Sequence, residues 1–323
     1  MNKFNQISND QTFIGIDLAK DSVAVFVDST ESHFECLNKT SDLRKLAKKL
    51  KKLNPALIVL EATGGYETQC AVAFAEAKLP YAIVYPKRVR QFAFGLGIIA
   101  KTDEVDAELL AYYGRVADIK PQPLQSDELR KLRALTSRRQ QLIEMRLSEQ
   151  NRLETSHPSM RTNIKKHLNW LVKQIEEIET EINQRIKKSE AFRQADKLLQ
   201  SVPGVGEVLS STLITELPEL GHLTNKEIAS LVGVAPFPSE SGKYKGKRFC
   251  RGGRNSVRRV LYMAALTAAR FNPTIKTFYD NLLEKGKLKK VALIACARKL
   301  LITLNAMIRD NSTWQPKNIH VLP

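Results

Sequence analysis

Four cysteines in 323 residues, Cys36, Cys70, Cys250 and Cys296, with no CxxC pair among them, leave no framework for a structural zinc site. Reduced thiols in a cytosolic protein are the default for such spacing. The five histidines are scattered as well, so no histidine-based metal cluster is visible. No uninterrupted apolar stretch approaches the roughly 18 to 20 residues that span a bilayer, and the N-terminus is polar through Thr12. A soluble, cytoplasmic protein with no membrane partner is therefore expected.

Negative charge is scarce in one part of the chain only. Residues 1–120 carry 16 Lys and Arg against 15 Asp and Glu, whereas the remainder carries 35 against 19. Almost all of the formal charge of +17 thus lies beyond residue 120. A polycation of this kind suits a polyphosphate partner. Nucleic acid is favoured over an anionic membrane, because no strongly amphipathic basic helix with an aromatic face stands out.

The acidic residues of the first third are few but ordered. Asp17 ends the apolar run Phe13-Ile14-Gly15-Ile16-Asp17, and Glu61 ends Ala56-Leu57-Ile58-Val59-Leu60-Glu61, so both read as residues leaving buried strands. Asp103 and Asp106 stand three apart in a helical pattern, on one face. Each alone is an ordinary helix cap or loop residue. Together, four carboxylates that converge repel one another unless divalent cations lie between them, and hard oxygen donors suit Mg²⁺ or Mn²⁺. The order of elements is a strand with Asp, a hairpin over Ser22 to Asp28 and His33 to Leu37, a helix, a strand with Glu, further α/β units and a helix with paired Asp. That is the order of a ribonuclease-H-like fold, giving an α/β domain over residues 1–120.

Pro121 and Pro123 mark a boundary, and Ser126 before Asp127 and Glu128 predicts a helix start. His157-Pro158 ends that helix. In the next one Ile164, Leu168, Leu171, Ile175, Ile178 and Ile182 recur at spacings of 4, 3, 4, 3 and 4, a heptad seam. An antiparallel hairpin within the chain, a coiled coil with another subunit, or both, satisfy this pattern over 121–191. Over 192–323 a mostly helical part follows. Its Pro203-Gly204-Val205-Gly206 turn reads as a helix-hairpin-helix element, with Gly204 and Gly206 letting the backbone approach a phosphate.

Between Ser241 and Arg259 there are eight basic residues and no acidic one: Lys243, Lys245, Lys247, Arg248, Arg251, Arg254, Arg258 and Arg259. Tyr244 and Phe249 are interleaved with them. This is the electrostatic footprint of a loop that grips a phosphate backbone. Ser241 beside Gly242 is a candidate nucleophile, since cations stabilise an alkoxide and the charge that builds on a phosphate.

The chain resembles the DEDD-type transposases of bacterial insertion sequences, a family that includes pilin-gene-inverting recombinases and bridge-RNA-guided recombinases. The matching pieces are Gly15-Ile16-Asp17-Leu18-Ala19-Lys20, Glu61-Ala62-Thr63-Gly64-Gly65-Tyr66, Lys101-Thr102-Asp103-Glu104-Val105-Asp106-Ala107, Pro203-Gly204-Val205-Gly206, Leu231-Val232-Gly233-Val234-Ala235-Pro236, Glu240-Ser241-Gly242 and Arg258-Arg259-Val260-Leu261-Tyr262-Met263, in family order. Phe237 and Cys250-Arg251 depart from the family pattern. The resemblance implies a domain similar to Holliday-junction resolvases, a coiled-coil insertion and a C-terminal transposase domain. It also implies Asp17, Glu61, Asp103 and Asp106 as metal ligands, and Ser241 as the residue that joins DNA covalently. Double-stranded DNA, a guide (bridge) RNA, and a homodimer or homotetramer are the partners it implies. A structure-selective nuclease with water as the nucleophile is the alternative.

Overall fold

Residues 13 to 18 are apolar on both faces apart from Asp17, a pattern that fits the middle of a sheet and not its edge. In the computed structural model, which describes residues 11–100, 102–122, 126–241, 244–246 and 248–315, this segment (β1, Phe13–Leu18) is the central strand of five. It pairs antiparallel with β2 (Ser22–Val27) and parallel with β4 (Leu57–Glu61). β3 (Ser32–Leu37) closes one edge and β5 (Tyr81–Val84) the other, in the order β3-β2-β1-β4-β5.

Because side chains alternate along a strand, the sheet has two apolar faces with separate covers. Ile14, Ile16, Leu18, Ile58 and Leu60 pack under α1 (Thr40–Lys51) and α2 (Glu67–Glu76). Leu43, Leu46, Ala47 and Leu50 form the buried stripe of α1 at helical spacing. Phe13, Leu57, Val59, Ala82 and Val84 face the other way, under α3 (Pro86–Gly95) and α4 (Asp103–Val116). Helices therefore cover both faces of a mixed sheet, and this first unit spans Met1–Gln125.

The second unit, Ser126–Pro323, is helical. Ser126 caps α5 (Asp127–Thr155) by accepting from the Leu129 amide at 3.2 Å, as its sequence predicts. His157-Pro158 turns the chain into α6 (Pro158–Lys188). Leu132 meets Ile182 and Ile186, and Leu142 meets Leu171 and Ile175, so the heptad residues close an antiparallel hairpin within the chain. The Arg139–Glu179 pair ties its two helices together.

At the base of the hairpin follow α7 (Glu190–Gln200), α8 (Glu207–Glu216), α9 (Asn225–Val232), α10 (Asn255–Phe271), α11 (Pro273–Glu284) and α12 (Lys289–Arg309). Between α9 and α10 lies a small antiparallel ribbon, β6 (Glu240–Ser241) with β7 (Tyr244–Lys245). By length and composition α12 is apolar enough to cross a membrane, although Arg298 and Lys299 interrupt its apolar run. Scattered lysines and arginines hide it from a search for unbroken runs. Leu293, Cys296, Ala297, Leu300, Leu301 and Leu304 are buried in the core of this unit, which accounts for the composition. Asn305, also buried, accepts from Gly221 N at 2.8 Å and donates to Leu223 O at 2.9 Å.

Candidate active site

Asp17 and Glu61 become neighbours through strand register. The last parallel pair between β1 and β4 is Ile16 with Leu60, so the next residues on each strand are Asp17 and Glu61. Adjacent strands lie about 4.8 Å apart. Alternation puts both side chains on the face that carries Phe13, Leu57 and Val59, the face covered by α4.

Close packing decides where α4 begins. A Cβ on Gly15 would lie 1.9 Å from Ala107 O and 2.5 Å from Ala111 N, so only glycine lets this helix rest on β1. Further along, Gly114 packs against Val59 and Phe13. The helix therefore runs opposite to β1, and its first turn, with Asp103 and Asp106, lies toward the strand end that carries Asp17 and Glu61. Thr102 caps that turn, its Oγ1 accepting from Val105 N at 3.2 Å. The far end is fastened by Asp28, which accepts from Phe13 N at 2.8 Å and from Arg115 Nε at 3.1 Å. Gly15, Asp28, Arg115 and Thr102 are positioning residues that the sequence pattern does not single out. An isolated glycine inside a strand pattern is the one signal that marks such a close approach.

The backbone thus brings the four carboxylates to one rim of the sheet. Their side chains are not drawn into a cluster, however: among the described residues no three His, Cys, Asp or Glu are grouped so as to hold a metal ion. Like charges repel when no cation lies between them, and none of Asp17, Glu61 and Asp106 is without a partner. The donor chemistry, hard carboxylate oxygens on two strand ends and one helix turn, still fits Mg²⁺ or Mn²⁺. Asp17, Glu61 and Asp106 are half-buried and Asp103 is exposed. Three acids in the first turn of α4 are also favoured by the helix dipole.

Ser241 belongs to the second unit and ends β6, paired with Tyr244 across the ribbon. What the sequence presents as a loop is a hairpin: Phe237 bridges Phe249, and Gly246 N donates to Ser239 O at 3.0 Å. Gly242, Lys243 and Lys247 lie outside the described residues. Lys245 belongs to β7. Arg248 and Arg251 are exposed.

Other basic residues of this segment have partners within the chain. Arg254 grips Glu219 with both guanidinium nitrogens at 2.5 Å and donates to Glu216 O at 2.7 Å. Burial works against ionisation of Glu219, but the hydrogen bonds and charge of Arg254, helped by Arg133, hold its carboxyl below the ordinary value. Arg258 donates to Gly252 O at 2.8 Å and to Asn255 Oδ1 at 3.1 Å, fixing the root of the hairpin. Arg259 reaches Glu144 at 3.4 Å across an exposed surface.

In the Pro203-Gly204-Val205-Gly206 turn the two glycines differ. Gly204, at φ +98°, would set a Cβ 2.7 Å from Cα of Ala268, so its backbone packs closely on α10. Pro203 O accepts from Asn272 Nδ2 at 3.2 Å, which anchors the same turn. Gly206 precedes α8 with open space around it.

Comparison with known proteins gives two family matches in sequence order, the first running past Gln125 through α5. A transposase family model of the IS110 DEDD type matches residues 14–156, and the model described as Transposase IS116/IS110/IS902 family matches residues 196–280. The pilin gene-inverting protein of Moraxella bovis is 28% identical over 321 residues, covering 96% of this chain and 99% of its own. An uncharacterized 42 kDa protein of insertion element IS900 from Mycobacterium paratuberculosis is 31% identical over 153 residues, 45% of this chain and 38% of its own. The Thermus thermophilus RuvC structure superposes with a TM-score of 0.26 and 16% identity, over 35% of this chain and 100% of that one, too loosely to assign the fold. With both family models matched in order and one relative aligned from end to end, the chain belongs to the IS110 family of transposases and recombinases.

Proposed function

We propose that this recombinase cuts and rejoins DNA through a serine-linked intermediate, with Asp17, Glu61, Asp103 and Asp106 as the carboxylates that hold Mg²⁺ and Ser241 as the nucleophile. The observation that carries the reading is the register step from Ile16 and Leu60 to Asp17 and Glu61, beneath the helix that begins with the other two acids. The sheet order, with one antiparallel hairpin beside a parallel pair, supports a ribonuclease-H-like frame for this rim. Bound there, Mg²⁺ supplies charge stabilisation for the oxygens of an in-line displacement.

The chain's own residues do the rest. Ser241 Oγ attacks phosphorus, its proton passes to solvent or a nearby base, and the bond from phosphorus to the departing strand breaks to leave a free hydroxyl. A phosphodiester is thereby exchanged for another of like energy. The later attack of a hydroxyl on the phosphoserine restores Ser241 and a continuous strand. Cations of the basic hairpin, Lys243, Lys245, Lys247, Arg248 and Arg251, neutralise the phosphate during both steps. The excess of positive charge beyond residue 120 supports two polyanionic partners, the double-stranded DNA and a structured guide RNA. Ser241 and the carboxylates belong to different compact units, which favours a homodimer or homotetramer in which one copy supplies the serine to another.

The test is covalent capture. End-labelled DNA incubated with full-length protein, its co-purified RNA and Mg²⁺ gives a protein-linked band on a denaturing gel. Ser241→Ala abolishes that band and Asp17→Asn abolishes it as well. Strand breakage by Ser241→Ala with no adduct from the wild type establishes the hydrolytic nuclease instead.

A further inference from the structure

A basic segment is concealed within the unit whose charges nearly cancel. From Ala77 to Thr102 the sequence holds no acidic residue but includes Lys78, Lys87, Arg88, Arg90 and Lys101. Three of these five belong to α3. That helix turns Val89 and Ala93 into the core and sets Phe92 against Tyr113 of α4, with ring centroids 5.1 Å apart. Its inner face is therefore filled.

The outer face repeats at helical spacing: Lys87, Arg88, Gln91 and Phe94 are all exposed. Tyr85, just before the helix, is 59% exposed and Phe94 57%. Phe94 is held in place, because the guanidinium of Arg90 lies over its ring at 4.7 Å while Nη2 of the same arginine donates to Ile99 O at 2.9 Å. A ring covered by a cation on one side offers the other to a base. Glu67, just beyond β4, is turned onto Thr63 N and Gly65 N, at 3.0 and 2.9 Å.

Register fixes where this face begins. Glu61 pairs with Val84 across the parallel strands, so Tyr85 leaves the sheet one residue beyond the level of Glu61. From there α3 runs about 15 Å for its ten residues. We infer that Tyr85, Lys87, Arg88 and Phe94 form a docking surface for an unpaired DNA strand that leaves the carboxylate rim along α3. Duplex phosphates alone need cations, whereas exposed rings beside them match bases that have left the stack. The inference rests on the reading of that rim as the cutting site, and it adds the path of the strand.

Full-length protein titrated with a DNA duplex carrying a single-stranded arm, and with the same duplex lacking it, tests the surface. The side chains concerned are exposed, so Tyr85→Leu, Phe94→Leu and Lys87→Gln with Arg88→Gln leave the fold intact, as circular dichroism verifies. The paired aromatic changes weaken binding of the armed DNA about tenfold, in the range of base stacking, and leave the plain duplex unchanged. Removing both cations lowers the salt slope for armed DNA by about 1.4. Gln91→Lys raises it. Unchanged arm preference and slope in these variants overturn the inference, and so does an RNA arm that competes better than DNA. The Ser241 adduct, assayed with the same variants on plain duplex, separates the two failures: binding along α3 is read without cutting, and cutting is read without the arm.

Discussion

The two compact units handle charge in opposite ways. The first sums to nearly zero yet keeps its charges apart, with acids at the end of β4 and the start of α4 and cations on the outer face of α3. The second is strongly positive yet spends much of that charge internally: Arg254 on Glu219, Arg139 on Glu179, Arg258 on backbone carbonyls. A net charge is therefore a poor map of a binding surface. What matters is which cations lie exposed, as Lys87 and Arg88 do on α3 and Arg251 does before α10.

The sharpest way to break this comparison is to neutralise the acids of the first unit. Asp17→Asn or Glu61→Gln lowers the rate of strand cleavage by about 10³-fold or more, on the scale of removing a principal electrostatic contribution to catalysis. DNA binding is kept or tightened in both, because a negative charge has been removed. A variant that binds and cuts as the wild type does would dissociate this rim from the chemistry.

Next in size is Gly15→Ala. Overpacking a filled core costs about 1–3 kcal/mol, and here the obstacle is helix backbone, which cannot swing aside as a side chain does. A loss of at least about 3 kcal/mol is expected, confined to the first unit. Denaturant unfolding followed by hydrogen exchange locates it, with peptides of β1 and α4 losing protection and those of α12 keeping theirs. Cleavage falls with it, since α4 can no longer bring Asp103 and Asp106 to the rim.

The same positions differ in how plainly the amino-acid sequence announces them. Asp17 and Glu61 are legible because an apolar run ending in an acid fixes both the strand and its exit. Asp103 and Asp106 are legible because they stand three apart on one face of a helical pattern. Ser126 announces α5 as a cap, and the heptad announces the hairpin but not its partner, since a seam of Leu and Ile fits either. Two other features escape. The ribbon that carries Ser241 has two-residue strands of Glu, Ser, Tyr and Lys, too short and polar to show a period. Gly204 carries a positive φ that serves phosphate approach and tight packing equally well, and its packing on Ala268 is not legible in the sequence. The basic face of α3 escapes for a third reason, since summing charge over 120 residues averages it away.

Smaller effects separate committed from available cations in the second unit. Arg251→Gln lowers the salt slope of DNA binding by about 0.9 with no change in stability. Arg254→Gln does the reverse: it leaves Glu219 without its partner and costs about 1–2 kcal/mol, with the slope unchanged. Equilibrium binding between about 50 and 200 mM salt, run beside thermal unfolding, distinguishes the two.

The smallest expected effect is one of pH and depends on the same pair. Arg254 holds the carboxyl of Glu219 below its ordinary value, so the folded state keeps this group ionised where the unfolded chain has begun to protonate it. The stabilisation is fully present above the ordinary glutamate pKa of about 4.3 and is lost as pH falls through the lower folded value. Asp127 and Asp310 are also held low, by Lys131 and Arg309 respectively, but both are fully exposed and contribute alike to wild type and variant. The wild type should therefore lose more thermal stability than Arg254→Gln between about pH 6 and pH 3.5, so that their unfolding curves draw together in acid. Curves that stay parallel over that range would mean that Glu219 titrates alike in both chains, and that Arg254 contributes by packing and not by charge.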